Sequence, residues 1–210
     1  MVRVKVCGIT QPHQVDPLVD AGVDALGLVF YPPSPRAVTP DQAVQIQRAV
    51  GPYVSTIGLF VNTPIDEVNA IADAVGLDWI QFHGSETVAQ CMGANRPWYK
   101  ALRVRAGDDV DAITRPWRAV SNGVLLDAFV KGVPGGTGTR FNWDQVPSTR
   151  DWKLILAGGL DVSNVRAAIA QTQPYAVDVS GGVESAPGIK DIQKVQAFMQ
   201  EVRNDQHPNS

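Results

Sequence analysis

The chain has 210 residues, a formal net charge of −3, 44% hydrophobic and 19% charged residues, the balance of an ordinary globular protein with material for one substantial core. That charge leaves no basic footprint for nucleic acid or an anionic membrane surface, although a few local cations suffice for an anionic ligand. The two cysteines, Cys7 and Cys91, form no CxxC pair and join no His/Cys cluster at metal-ligand spacing, which argues against a disulfide scaffold and structural zinc.

A strand pattern begins at residue 2, with no charged-then-apolar leader before it. No apolar run approaches the roughly 20 residues that span a bilayer. A cytoplasmic protein is expected. In Val2-Arg3-Val4-Lys5-Val6-Cys7 strict alternation places the three valines on one face and Arg3, Lys5 and Cys7 on the other. A charged inward row suits a barrel whose interior opens onto a site at the carboxyl ends of its strands.

From there the chain alternates strand and helix. The first strand (3–7) leads into a helix over about 11–21, and Leu26–Phe30 is the second strand. The loop Tyr31-Pro32-Pro33-Ser34-Pro35-Arg36 is too proline-rich for either regular element. Thr39-Pro40 caps a helix to about Val50, and Thr63-Pro64 repeats that start for a helix to Val75 after the strand Ser55–Val61. Strands follow at 79–83, 98–104, 124–127, 153–157 and 176–180. Helical segments are expected from Gly84-Ser85-Glu86 onward and near 108–115, 142–146, 162–171 and 188–203. A glycine-rich loop covers Gly132–Thr139. Eight strands and eight helical segments indicate an α/β fold, a single-domain (β/α)8 TIM barrel over 1–203 with a flexible tail at 204–210. The rival, a doubly wound open sheet, usually has fewer strands and carries phosphate after the first strand.

Gly158-Gly159 after strand seven and Ser180-Gly181-Gly182 after strand eight stand where barrels bind phosphate, glycines letting backbone N–H groups reach the anion. As bare turns they would mean little, but the paired positions favour phosphate. Cys7 ends the first strand beside Lys5, and an ammonium or a following helix N-terminus would stabilise a thiolate. The thiol is a candidate nucleophile or general base, whereas Cys91 on its helix reads as a buried hydrophobe. Asp127 ends strand six, and the Ala-Phe-Val-Lys-Gly after it starts no helix, so a catalytic carboxyl is favoured over a cap. Asp178 points inward for a sugar hydroxyl or the phosphate loop. Arg36 is a candidate fork for a carboxylate, with plain solvation the alternative. His83, in line with Gln81, is equally a substrate partner or a satisfied rim histidine.

Lys5-Val6-Cys7-Gly8-Ile9-Thr10, Phe30-Tyr31-Pro32-Pro33-Ser34-Pro35-Arg36, Gly58-Leu59-Phe60-Val61-Asn62, Gln81-Phe82-His83-Gly84, Leu125-Leu126-Asp127, Gly135-Gly136-Thr137-Gly138, Ala157-Gly158-Gly159-Leu160 and Asp178-Val179-Ser180-Gly181-Gly182-Val183-Glu184 occur in order. Together they closely resemble the phosphoribosylanthranilate isomerase family of tryptophan biosynthesis, from residue 3 to about 200. The resemblance implies a cofactor-free (β/α)8 enzyme that runs an Amadori rearrangement on a phosphoribosyl substrate. It implies Asp127 as general acid on the furanose ring oxygen and Cys7 as general base at C2. It also implies Arg36 on the anthranilate carboxylate and the Gly158-Gly159 and Ser180-Gly181-Gly182 loops on phosphate. Lys5, His83 and Asp178 complete the expected substrate-binding set, with no metal, no nucleic-acid or membrane partner, and a monomer favoured over a dimer.

One departure is visible. The family's last loop commonly reads Ser-Ser-Gly-Val-Glu, and here glycine stands at 181. The competing readings are another phosphosugar barrel, a catalytically dead phosphosugar-binding module and a thiol redox protein. A histidine-pathway isomerase pairs aspartates at strands one and five, whereas strand one here supplies Cys7, and indole-glycerol-phosphate synthase relies on lysine and glutamate at strand ends in a pattern this chain does not supply. A dead module would not keep both Cys7 and Asp127, and a redox protein would want a resolving cysteine that Cys91 does not supply.

Overall fold

The computed structural model describes residues 1–128 and 143–204. Eight strands close into a parallel barrel: β1 (Arg3–Cys7), β2 (Ala25–Phe30), β3 (Ser55–Phe60), β4 (Trp79–Phe82), β5 (Trp98–Val104), β6 (Val124–Ala128), β7 (Leu154–Leu156) and β8 (Ala176–Val179). Closure brings β8 beside β1 with Lys5 opposite Asp178. Around the strands, among the described residues, run α1 (Val15–Asp20), α2 (Pro40–Ala49), α3 (Ile65–Val75), α4 (Val88–Cys91), α5 (Val110–Arg118), α6 (Val165–Thr172) and α7 (Ile192–Asn204).

Alternation along each strand builds two cores. Val4, Val6, Leu26, Leu28, Val124 and Leu126 face outward into the large layer shared with the helices. Ile57, Tyr99, Ala101, Leu125 and Ala157 form a smaller plug inside the barrel. The period of two then forces the next inward residue of β6 after Leu125 to be Asp127, and that of β1 after Lys5 to be Cys7. Both land above the plug, at the carboxyl ends of their strands.

Local differences from expectation have physical causes. Strands β3, β4, β7 and β8 each stop one residue short of their expected carboxyl ends. Helix α2 starts as the Thr39 motif dictates, its side chain accepting from the Gln42 amide. Helix α3 instead has Pro64 as its cap and no side-chain cap bond, Asp66 and Glu67 supplying the negative first turn. The fourth helix begins later than expected, at Val88 behind a Thr87 cap. Glu86 is withdrawn from it because its carboxylate accepts from the Asn62 and Gly84 amides and pairs with the buried Lys100 at 2.7 Å.

The segment near 142–146 is a single 3-10 turn, Trp143–Gln145. The largest correction lies at the end of the barrel. Residues 188–191 do not open the last helix: β9 (Glu184–Ala186) and β10 (Ile189–Lys190) form an antiparallel hairpin over a Pro187-Gly188 turn, with Gly188 at φ +80°. Helix α7 starts only at Ile192. The Gly132–Thr139 loop with its Gly135-Gly136-Thr137-Gly138 motif lies outside the described residues, as does the expected tail beyond Asn204. No described helix is long and apolar enough to cross a membrane.

Candidate active site

A cavity of about 490 Å³ opens at the carboxyl ends of the strands, the size of a small-molecule site. Cys7, Arg36, His83, Asp127, Gly158, Gly159, Asp178, Ser180, Gly181 and Gly182 all line it. Lys5 lies just beneath, 4% exposed, and reaches the cavity floor through its partners.

On the β1 side, a missing side chain makes the room. A Cβ on Gly27 of β2 would sit 2.7 Å from the Cys7 sulfur and 3.0 Å from Lys5 Cε. The Lys5 ammonium donates to Asp178 Oδ2 at 2.7 Å and to Gln81 Oε1 at 2.8 Å. Burial alone would lower its pKa, but Asp178, with Cys7 and Tyr99, more than offsets this and holds Lys5 well above its ordinary value. Burial likewise lifts the Asp178 carboxyl, against the pull of Lys5. Asp178 Oδ1 is buried with no hydrogen-bond partner among the described residues.

The expected stabilised thiolate at Cys7 is not what the structure gives. Burial pushes the thiol above its ordinary range, and Lys5 offsets this only in part because Asp178 neutralises the ammonium. No helix dipole contributes either: a 3-10 turn at Pro12–Gln14 comes first, and α1 starts at Val15. Cys91 is fully buried on α4, its thiol pushed up to about 12 by burial, in keeping with an inert core residue.

Opposite stands Asp127 of β6, 6% exposed. His83, just past β4, turns Nε2 to within 3.3 Å of Asp127 Oδ2. The other ring nitrogen lies 2.9 Å from Gln81 Nε2, and Gln81 Oε1 accepts from the Tyr99 hydroxyl at 2.8 Å. His83, half-buried at the cavity wall, thus stands between Gln81 and Asp127.

The glycine loops meet each other. Gly158 and Gly159 take φ of +87° and +68°, open to glycine at no steric cost. A Cβ on Gly182 would fall 2.0 Å from the Leu160 carbonyl oxygen, so the loops after β7 and β8 approach as closely as backbone allows. The Ser180 hydroxyl donates to the Cys7 carbonyl at 2.8 Å.

Arg36 already forks a carboxylate, though one supplied by the chain. Its Nε and Nη2 donate to the two Glu184 oxygens at 2.8 and 2.6 Å, leaving Nη1 outside the pair. Lys190 donates to Glu184 Oε1 and to the Cys7 carbonyl, both at 2.6 Å. Burial works against the Glu184 charge, but Arg36 and Lys190 hold its pKa below the ordinary carboxylate value.

Sequence reasoning missed Lys190, Tyr99 and Arg103, and gave Gln81 and Glu184 no role. Arg103 lines the cavity and is paired in register with Asp127. Its signal was available, since inward alternation along β5 runs Tyr99, Ala101, Arg103. Lys190 was concealed by the apparent helix, and the Pro187-Gly188 turn pair was the sign that broke it. Among the described residues no group of three or more His, Cys, Asp or Glu side chains is placed to hold a metal ion.

Comparison with known proteins identifies the family. The family model described as N-(5'-phosphoribosyl)anthranilate (PRA) isomerase matches residues 4–201. N-(5'-phosphoribosyl)anthranilate isomerase of Azotobacter vinelandii is 56% identical over 203 residues, covering 97% of this chain and 98% of that one. Its counterpart from Pseudomonas putida is 55% identical over 202 residues, covering 96% and 98%. The crystal structure of phosphoribosyl anthranilate isomerase from Thermotoga maritima superposes with a TM-score of 0.88 at 36% identity, over 97% of this chain and all of that one. A second solved isomerase, in complex with reduced 1-(o-carboxyphenylamino)-1-deoxyribulose 5-phosphate, gives 0.82 at 34% identity over the same shares. The chain belongs to the N-(5'-phosphoribosyl)anthranilate isomerase family.

Proposed function

We infer that the chain converts N-(5-phosphoribosyl)anthranilate to 1-(2-carboxyphenylamino)-1-deoxyribulose 5-phosphate, an isomerisation in tryptophan biosynthesis. The observation that carries the reading is one cavity lined by Cys7, by Asp127 and by both glycine loops, in a chain of this family.

In the proposed mechanism the loops at Gly158-Gly159 and Ser180-Gly181-Gly182 hold the phosphate through backbone N–H groups. Asp127 gives a proton to the furanose ring oxygen. The C1–O bond breaks as the anilino nitrogen lone pair forms the C=N bond of a Schiff base. Cys7, as thiolate, then removes the C2 proton, and the electrons of that C–H bond neutralise the iminium to give an enolamine. Protonation of C1 by the Cys7 thiol, with loss of the C2 hydroxyl proton to the Asp127 carboxylate, yields the ketone and restores both groups, so the reaction is redox-neutral overall and needs one acid and one base. Asp178 Oδ1 is left to accept from a sugar hydroxyl. Arg36 Nη1, the guanidinium nitrogen outside the Glu184 pair, is assigned to the anthranilate carboxylate.

The reading extends to one barrel domain over 1–203 in the cytoplasm, with a small-molecule substrate and no nucleic-acid or membrane partner. We assign a monomer because the large exposed apolar side chains among the described residues (Met1, Tyr53, Met92, Val120, Tyr175, Ile189) are spread over separate segments. The test is turnover of N-(5-phosphoribosyl)anthranilate by the purified protein, followed by loss of substrate fluorescence after exhaustive chelation. Product formation at the untreated rate is expected. Absence of product from folded protein would overturn the assignment.

A further inference from the structure

Five side chains form a polar chain across the barrel, Asp178–Lys5–Gln81–His83–Asp127, hydrogen-bonded from Asp178 to His83 and ending with His83 Nε2 3.3 Å from Asp127, from the β8 and β1 side of the cavity to the β6 side. Gln81 sits at its centre, 1% exposed. We propose that Gln81 is a positioning residue that fixes the tautomer of His83 and so aims an N–H at Asp127. The inference rests on the reading of Asp127 as the acid and adds a member to that machinery.

The argument is a count of donors. A lysine ammonium has three N–H donors and no acceptor, so the Gln81 atom 2.8 Å from Lys5 Nζ must be the amide oxygen. The Tyr99 hydroxyl donates to the same oxygen at 2.8 Å. The other amide atom is then NH₂, a donor only, and it lies 2.9 Å from His83 Nδ1. Two N–H groups cannot face each other at that distance, so Nδ1 carries the lone pair. In the neutral imidazole the single proton is therefore on Nε2, the nitrogen 3.3 Å from Asp127 Oδ2. Nε2 stands at that distance without a hydrogen-bond partner among the described residues, so its N–H is free to engage the carboxylate as the acid works. Held through Oδ2, Asp127 has Oδ1 left to face the substrate. Lys5 thereby gains a role beyond filling the barrel floor: it sets the Gln81 amide, which sets the histidine.

Gln81→Glu is the discriminating variant, because it keeps the shape and both acceptor bonds from Lys5 and Tyr99 while replacing the donor to His83 by an acceptor. The ring must then place a proton on Nδ1. The readout is the ¹⁵N NMR spectrum of histidine-labelled protein, which separates the two neutral tautomers and the imidazolium, with His83→Gln identifying the signal among the three histidines. Wild type is expected to show the Nε2–H form. Gln81→Glu is expected to show a proton on Nδ1 and a kcat lower by roughly 10–100-fold, as for other residues that orient a working histidine, with KM within about threefold. The proposal is overturned if wild type shows the Nδ1–H form, if Gln81→Glu keeps the wild-type tautomer, or if the tautomer changes while kcat does not. Should Gln81→Glu not fold, the wild-type spectrum still decides. Tyr99→Phe must also keep the Nε2–H form, because Lys5 alone fixes the amide, and any other form there overturns the proposal. Full turnover by Asp127→Asn would instead remove the acid assignment while leaving the tautomer result standing.

Discussion

Cys7 is the residue at which local sequence and folded environment disagree most. Read along the strand, Lys5 two positions away suggests a poised thiolate. In the barrel that ammonium is bound to Asp178 and Gln81, and burial holds the thiol above its ordinary pKa. Proximity in sequence gave the right neighbour and the wrong electrostatics, because the neutralising carboxylate arrives from a residue 173 positions later. The sign of the consequence is plain. The base works only as thiolate, and a raised pKa moves the thiolate population to higher pH. We predict that kcat/KM rises with pH along a limb whose midpoint lies above the ordinary thiol pKa of about 8.5, and that this limb disappears in Cys7→Ala. A pH–rate profile already flat above neutrality would contradict the raised pKa.

At the scale of elements, the phosphate loops show how much a pair of glycines conveys. Gly182 is fixed by packing, since any Cβ would strike the Leu160 carbonyl of the facing loop. Gly181 is not so constrained: it opens the 3-10 turn Gly181–Val183 without a positive φ, a conformation open to serine. Its absence of a hydroxyl is therefore a loss of one potential bond to the anion, worth roughly 1.5–3 kcal/mol where no water substitutes. Gly181→Ser is expected to lower KM by roughly tenfold or more and leave kcat near its starting value, read from initial rates over a substrate series. An unchanged KM would show that the missing hydroxyl costs nothing. The hairpin β9–β10 was not legible in the same way. Its apolar spacing (Ile189, Ile192, Val195) mimics a continuing helix, and only the Pro187-Gly188 turn marks the break. That hairpin carries both Glu184 and Lys190, so misreading its second strand concealed the ion pair between them beside the site. Glu86 is the parallel case on the outer wall, where a residue that looked like a helix start is held by Lys100 and two backbone amides.

For the whole molecule, the barrel was legible because every strand declares itself by alternation or a continuous apolar run, and because the strand count with short connections leaves few alternatives. Legible too was which residues face inward, as period two on β1 and β6 brings Cys7 and Asp127 into one cavity. What the sequence could not show is the wiring between them. Lys5, Gln81, Tyr99 and His83 lie on three different strands or their ends, and their hydrogen bonds exist only once the sheet has closed. The same closure separates the two reactive groups, one on each side of the cavity, as a sequence of proton donation and proton removal requires. The central claim is that division of labour, and steady-state turnover of N-(5-phosphoribosyl)anthranilate by wild type, Cys7→Ala and Asp127→Asn tests it most directly. Each substitution should reduce kcat by about 10²–10⁴-fold, the range of a general acid or base, while KM changes little. Wild-type turnover in either folded variant would contradict the account.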